Sequence, residues 1–147
     1  MIPREEAVHA LVCRTGKRWC ALPLANVLET MRPLPVEPLA GMPAFVRGLS
    51  ILRGAPTPVV DAAGLLGGRA ETVERFVLLR AGERCVALAV GSASRIREIS
   101  PSDLADCPPL LSEANAAAVE AVGRLDAELL LVLDTARIVP DSVWEVL

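Results

Sequence analysis

The sequence predicts an all-β protein with short helices, organised as two similar halves around a common core. Three observations predict it. The apolar residues fall in runs of strand length, separated by Gly, Pro and Asp/Ser clusters and too short to be core helices. Two pairs of runs are joined by a glycine among polar residues, "RTGKR" (14–18) and "RAGER" (80–84), as a hairpin requires. The chain also echoes itself. "GKRWCALPLANVLE" (16–29) and "GERCVALAVGSASR" (82–95) share Gly, Arg and an Ala-Leu pair at equal spacing. "VVDAAGLL" (59–66) and "VLDTARIV" (132–139) share an apolar run, then Asp-x-Ala-x and two apolar residues.

In chain order, "AVHALVC" (7–13) and "WCAL" (19–22) read as strands of a hairpin about Gly16. "RPLPVEPLAGMP" (32–43) carries four prolines, which excludes a central strand or a helix interior and predicts a rigid surface connection. "FVRGLSIL" (45–52) and "PTPVVD" (56–61) are the next strands, with Arg53 a lone charge between them. Asp61 follows an apolar run and is placed to accept from the free N–H groups of a short helix start. "RFVLLR" (75–80) and "CVALAV" (85–90) form the second hairpin, about Gly82, and "SRIREI" (94–99) continues it. Serine ahead of proline and acid in "SPSDL" (100–104) predicts a capped helical turn. The alanines of "SEANAAAVEAV" (112–122) predict the start of a helix. "ELLLVLD" (128–134) closes the second half, and Asp134 repeats the role of Asp61. Neither half, about 14–66 and 74–134, is robust alone at that size. They are expected to share one core within a single domain, 1–147.

Composition narrows the function classes. Net charge is −3 and the basic residues are scattered, which excludes the electrostatic footprint of a nucleic-acid binder. Hydrophobic residues make up 52% of the chain, yet the longest apolar stretches, such as "LLLVL" (129–133), fall far short of the ~18 residues of a membrane span. No direct membrane insertion is expected. The acidic start "MIPREEAVHA" lacks the layout of a secretory signal, so a cytoplasmic location is expected. Cys13, Cys20, Cys85 and Cys107 form no Cys-x-x-Cys pair and follow no zinc spacing, and are expected as reduced thiols in the core. The one histidine, His9, is four residues from Cys13, a spacing that allows a same-face contact; a core histidine beside a core thiol is expected rather than a reactive pair. Asp61 and Asp134 end apolar runs as a receiver phospho-acceptor does, but the upstream acidic pair and downstream lysine of a receiver are missing, since the single lysine is Lys17. Phosphate loops, dinucleotide fingerprints and His-Glu-x-x-His are missing too. Trp19 is expected in the core and Trp144 as a C-terminal packing residue. No catalytic residue, metal ligand or cofactor is assigned.

"GLSILRGAPTPVVD" (48–61) resembles the signature of CheW-like domains, the coupling proteins of bacterial chemosensory arrays, in which Gly-apolar-x-Asn-Leu-Arg-Gly leads into Pro-Val-x-Asp. Gly48, Leu52, Arg53, Gly54, Pro58, Val59 and Asp61 match that pattern. Gly16, "ALP" (21–23), Val27, Glu29 and "MPAFVRG" (42–48) resemble the family upstream, and Gly82, "ALAV" (87–90) and "LLLVLD" (129–134) downstream. Three positions depart from it: Ile51 replaces the usual Asn, Cys20 a common aromatic, and Gly91 stands where the second half usually has Val-Asp, which removes a carboxylate. The resemblance implies two five-stranded SH3-like β-barrel subdomains sharing a core, with no enzymatic activity and no cofactor. It implies an adapter that binds the regulatory domain of a CheA-type histidine kinase and the cytoplasmic tip of chemoreceptors, in the cytoplasm at receptor arrays on the inner membrane. The partner-binding residues it implies are Arg53, Gly48, Gly54, Val27 and Glu29. For Arg53 it leaves two roles open, direct receptor contact or support of the region joining the barrels.

Overall fold

The computed structural model describes residues 7–69, 72–105 and 118–147. Ten strands run along them: β1 Val8–Thr15, β2 Arg18–Pro23, β3 Val27–Met31, β4 Val46–Leu52, β5 Ala55–Asp61, β6 Arg75–Ala81, β7 Arg84–Val90, β8 Ser92–Ile99, β9 Val119–Leu125 and β10 Glu128–Leu133. Among the described residues helix is confined to short turns, the longest being α1 (Ala62–Leu65) and α2 (Asp141–Trp144). The strands form two five-stranded mixed sheets, ordered β8-β1-β2-β10-β9 and β3-β6-β7-β5-β4. Pairing is antiparallel throughout except at β2–β10 and β5–β7.

The echo in the sequence is an echo in the ladders. Val132 pairs with Ala21 across β10 and β2, as Val59 pairs with Ala87 across β5 and β7. Val132 faces Ala121 and Leu125 faces Glu128, as Val59 faces Gly48 and Leu52 faces Ala55. Even the bulges recur, between Val132 and Leu133 and between Val46 and Gly48. Each sheet takes a hairpin from one part of the chain (β1–β2 or β6–β7) and the closing hairpin from the other (β9–β10 or β4–β5).

Side chains alternate along each central strand between two apolar environments. On β7, Val86, Leu88 and Val90 enter a core shared by both sheets, while Ala87 and Ala89 join Phe76, Leu78 and Val59 on the other face of their own sheet. On β1 and β10, Leu11, Cys13, Leu131 and Leu133 enter the shared core, and Ala10, Val12, Leu130 and Val132 the private core of the first sheet. Burial on both faces explains why the strand sequences read as continuous apolar runs rather than alternating ones. Two edges are covered by single bridges in equivalent places: Glu37 exchanges hydrogen bonds of 2.8 and 2.9 Å with Leu49 on β4, and Ala105 exchanges 2.8 and 2.9 Å bonds with Val122 on β9. Glu37 lies in the proline-rich 32–43 segment, which otherwise holds no strand or helix.

Both aspartates cap as expected. Asp61 accepts at Oδ2 from the Gly64 N–H at 3.3 Å, and Asp134 accepts at Oδ1 from the Ala136 N–H at 3.1 Å. Asp61→Ala and Asp134→Ala should each lower stability by about 1 kcal/mol in urea unfolding. A change within error in both would show that the helical turns hold without their caps.

Two expectations are corrected, and one is tested only at its end. Of "SEANAAAVEAV", residues 112–117 lie outside the described residues and 119–122 are strand, because Val119, Ala121 and Val122 are buried against β10 and this packing overrides alanine's helix propensity. His9 is exposed on β1 while Cys13 is fully buried, so no Cys–His pair forms. Trp19 is half-buried at the surface; Arg14 stacks on its ring 4.7 Å from the centroid and its indole N–H donates to the Glu128 carboxylate. Trp144 does pack at the C-terminal end, under Arg84 at 4.8 Å.

Cys13 and Cys20 are cross-strand partners, both buried and reduced, and Cys85 is half-buried. A hydrogen bond with Cys20 and then burial push the Cys13 thiol above its ordinary range. The native state thus keeps a proton that the unfolded chain releases near pH 9, so stability is full below that pH and falls as pH rises past it. In a Cys107→Ser background at pH 8, iodoacetamide should modify Cys85 first and Cys13 only after unfolding. Modification of native Cys13 would contradict this packing.

Candidate functional site

The lone arginine sits at the tip of a hairpin rather than inside a strand. Leu52 and Ala55 close the β4–β5 pair, leaving Arg53 and Gly54 as a two-residue turn with φ of 51° and 77°. Two successive left-handed residues match the right-handed twist of the flanking strands, which favours this turn in short hairpins. Glycine takes that conformation freely, whereas an arginine there carries strain. A contact holds it: Arg53 Nε donates to Glu29 Oε2 at 2.8 Å. Glu29 lies on β3, at the opposite end of the same ladder from β4, so the pair joins the two ends of the second sheet.

The pair is open to solvent, with side chains 55% and 42% exposed. Such ion pairs contribute about 0–1 kcal/mol, so stability alone does not account for a strained arginine. Arg53 keeps guanidinium N–H groups that no described residue engages, arranged to meet a carboxylate or carbonyl. Ile51, two residues before it at the end of β4, is 62% exposed. The arrangement offers an apolar anchor next to an oriented charge, which suits recognition of a protein surface.

The remaining expected site residues take different places. Gly54 is exposed, and a Cβ there would meet open space. Val27 is half-buried against the shared core and pairs with Leu79; the bulge between Val27 and Glu29 shifts the register there. Gly48 is buried on β4, away from the turn, at φ 141°, and a Cβ there would lie 2.0 Å from the Glu37 carbonyl oxygen. The structure thus brings Arg53, Gly54 and Glu29 together at the surface and leaves Gly48 and Val27 outside that cluster. Ile51 was not expected as a contact, although the alternation was legible: Arg47, Leu49 and Ile51 share the outward parity of β4 while Gly48, Ser50 and Leu52 point in. The departure at Gly91 has a steric reason, since a Cβ would lie 2.9 Å from the Arg14 carbonyl oxygen, which accepts the Gly91 N–H at 2.9 Å.

No group of three or more His, Cys, Asp or Glu is arranged to hold a metal among the described residues. No helix among them is long and apolar enough to cross a membrane.

Comparison with known proteins agrees with this architecture. Residues 9–143 match the CheW-like domain family. The chain is 28% identical over 135 residues to the chemotaxis protein CheW of Rhizobium meliloti, covering 90% of this chain and 87% of that one. It is 21% identical over 145 residues to the chemotaxis protein CheW of Treponema pallidum, covering 94% and 85% respectively. Among solved structures, the scaffolding protein TtCheW from Thermoanaerobacter tengcongensis superposes with a TM-score of 0.76 at 18% identity, over 88% of this chain and 90% of that one. With the family match spanning nearly the whole chain and the same fold in a solved relative, this protein belongs to the CheW-like domain family.

Proposed function

We propose that this chain is a non-catalytic adapter that couples the cytoplasmic tip of chemoreceptors to the regulatory domain of a CheA-type histidine kinase. The observation that carries the reading is the Arg53–Glu29 pair: a solvent-open arginine in a strained turn, adjoining exposed Ile51. Family membership supports an adapter role in chemotaxis. We read each sheet as an SH3-like barrel around its own small core, because Arg53 and Glu29 tie the ends of one ladder together. The two pseudo-repeats, about 14–66 and 74–134, are then intertwined within one cytoplasmic domain that works beneath membrane-bound receptors.

A second reading draws on Ile51, which puts an exposed apolar side chain where the family pattern has an amide. In that reading the chain binds the kinase without coupling receptors, or serves a non-flagellar chemosensory pathway such as surface motility. Co-precipitation with the kinase regulatory domain and with a receptor tip fragment, followed by kinase assays in receptor-containing vesicles, separates the two. Coupling predicts binding to both and receptor-dependent activation. Kinase binding without activation would favour the second reading.

A further inference from the structure

The repeated ladders also repeat a groove, and the two copies differ in what covers them. On the second sheet a groove of about 440 Å³ is lined by Leu49, Pro56, Pro58, Arg84, Trp144 and Leu147, so that α2 and the residues after it form one wall. Its counterpart on the first sheet, about 510 Å³, is lined by Arg14, Lys17, Arg18, Glu128, Leu129 and Leu131. Arg18 follows Gly16 as Arg84 follows Gly82, and Leu131 faces Val122 as Pro58 faces Leu49. Among the described residues nothing takes the place of α2 in this second groove, and Leu129 is left 47% exposed.

Its lining is net positive, with Arg14, Lys17 and Arg18 against Glu128. Arg14 is committed, stacking on Trp19 and donating through Nε to the Gly16 carbonyl at 3.1 Å, while Glu128 accepts from Trp19. The side chains of Lys17 and Arg18 make no hydrogen bond or ion pair among the described residues. An adjoining groove of about 450 Å³ places Arg69 beside the same two residues. In a chain of net charge −3, this is a local positive field beside exposed leucine.

We propose that this groove docks an acidic amphipathic segment of a protein partner, with an aromatic or leucine side chain against Leu129 and flanking carboxylates on Lys17 and Arg18. The internal precedent is the chain's own "DSVWEVL" (141–147), which sets Trp144 against Arg84 between Asp141 and Glu145. The site shares no residue with the Arg53–Glu29 pair. It adds a docking surface beyond the coupling role proposed above.

The test uses the full chain and a fluorescein-labelled helical peptide presenting one tryptophan flanked by glutamates, with a glutamate-to-lysine version as control. Anisotropy should show saturable binding of the acidic peptide, weakened about tenfold or more by Lys17→Glu and by Arg18→Glu, weakened by salt, and unchanged by Arg53→Glu. Amide shifts should concentrate on residues 128–131. Lys17 is exposed in a turn, so Lys17→Glu keeps the fold and reads docking alone. Equal binding of the lysine peptide, no saturable binding, or shifts centred on Trp144 would overturn the proposal. Binding to phosphatidylglycerol vesicles without peptide binding would assign the basic surface to a membrane and also overturn it.

Discussion

Replacing Gly48 by alanine should lower stability by about 3 kcal/mol and open the β4 edge at Glu37. Two effects combine: a φ of 141° is a backbone conformation that L-residues rarely adopt, worth about 1–3 kcal/mol, and the new Cβ would sit 2.0 Å from the Glu37 carbonyl, an overpacking worth about 1–3 kcal/mol. Relief requires Glu37 to move, which breaks the pair of hydrogen bonds that seals the β4 edge. The equivalent position in the first sheet is Ala121, which faces Val132 as Gly48 faces Val59 and carries its Cβ. Gly48→Ala therefore asks the first closing hairpin to adopt the backbone of the second. Gly54→Ala is the control: φ is left-handed but the space is open, so a cost of about 1 kcal/mol is expected. Urea unfolding of both variants checks the contrast, and equal losses would remove the clash with Glu37 from the account.

Arg53→Glu should abolish receptor-dependent kinase activation while leaving unfolding cooperative and stability within about 1 kcal/mol of the parent. The small stability effect follows from exposure, because a pair open to water at both side chains contributes little. The functional effect is larger for a different reason. Reversing a charge at a contact replaces attraction by repulsion, and an interface arginine of this kind carries about 2 kcal/mol or more. A large stability loss would instead make Arg53 a structural tie between the ladder ends.

Most of the fold was legible because both faces of each central strand are buried, so apolar runs marked them directly. β3 and β9 escaped notice for opposite reasons. β3, "VLETM", is an exposed edge with no apolar run, and β9, "VEAVGRL", begins within an alanine-rich stretch that local propensity assigns to helix. The bond between Arg53 and Glu29 could not be read from sequence, since it depends on the ends of one ladder meeting across 24 residues of chain. The repeat, in contrast, was visible in Gly16 and Gly82 and in Asp61 and Asp134, because hairpin turns and helix caps tolerate few residue types. Gly48 was matched by motif, but its reason, the close approach of Glu37, appears only once the proline-rich segment is placed across β4.

The most direct test of partner recognition at the Arg53 turn is kinase activity with receptor-containing vesicles for the parent, Arg53→Glu, and the charge-swapped Glu29→Arg/Arg53→Glu protein. The swap restores an internal ion pair between the ladder ends but presents the wrong charge at position 53. Recognition by a partner predicts that both variants fail to couple while both remain folded. Recovery of receptor-dependent activity in the swapped protein would contradict it, and would confine Arg53 to holding the sheet together.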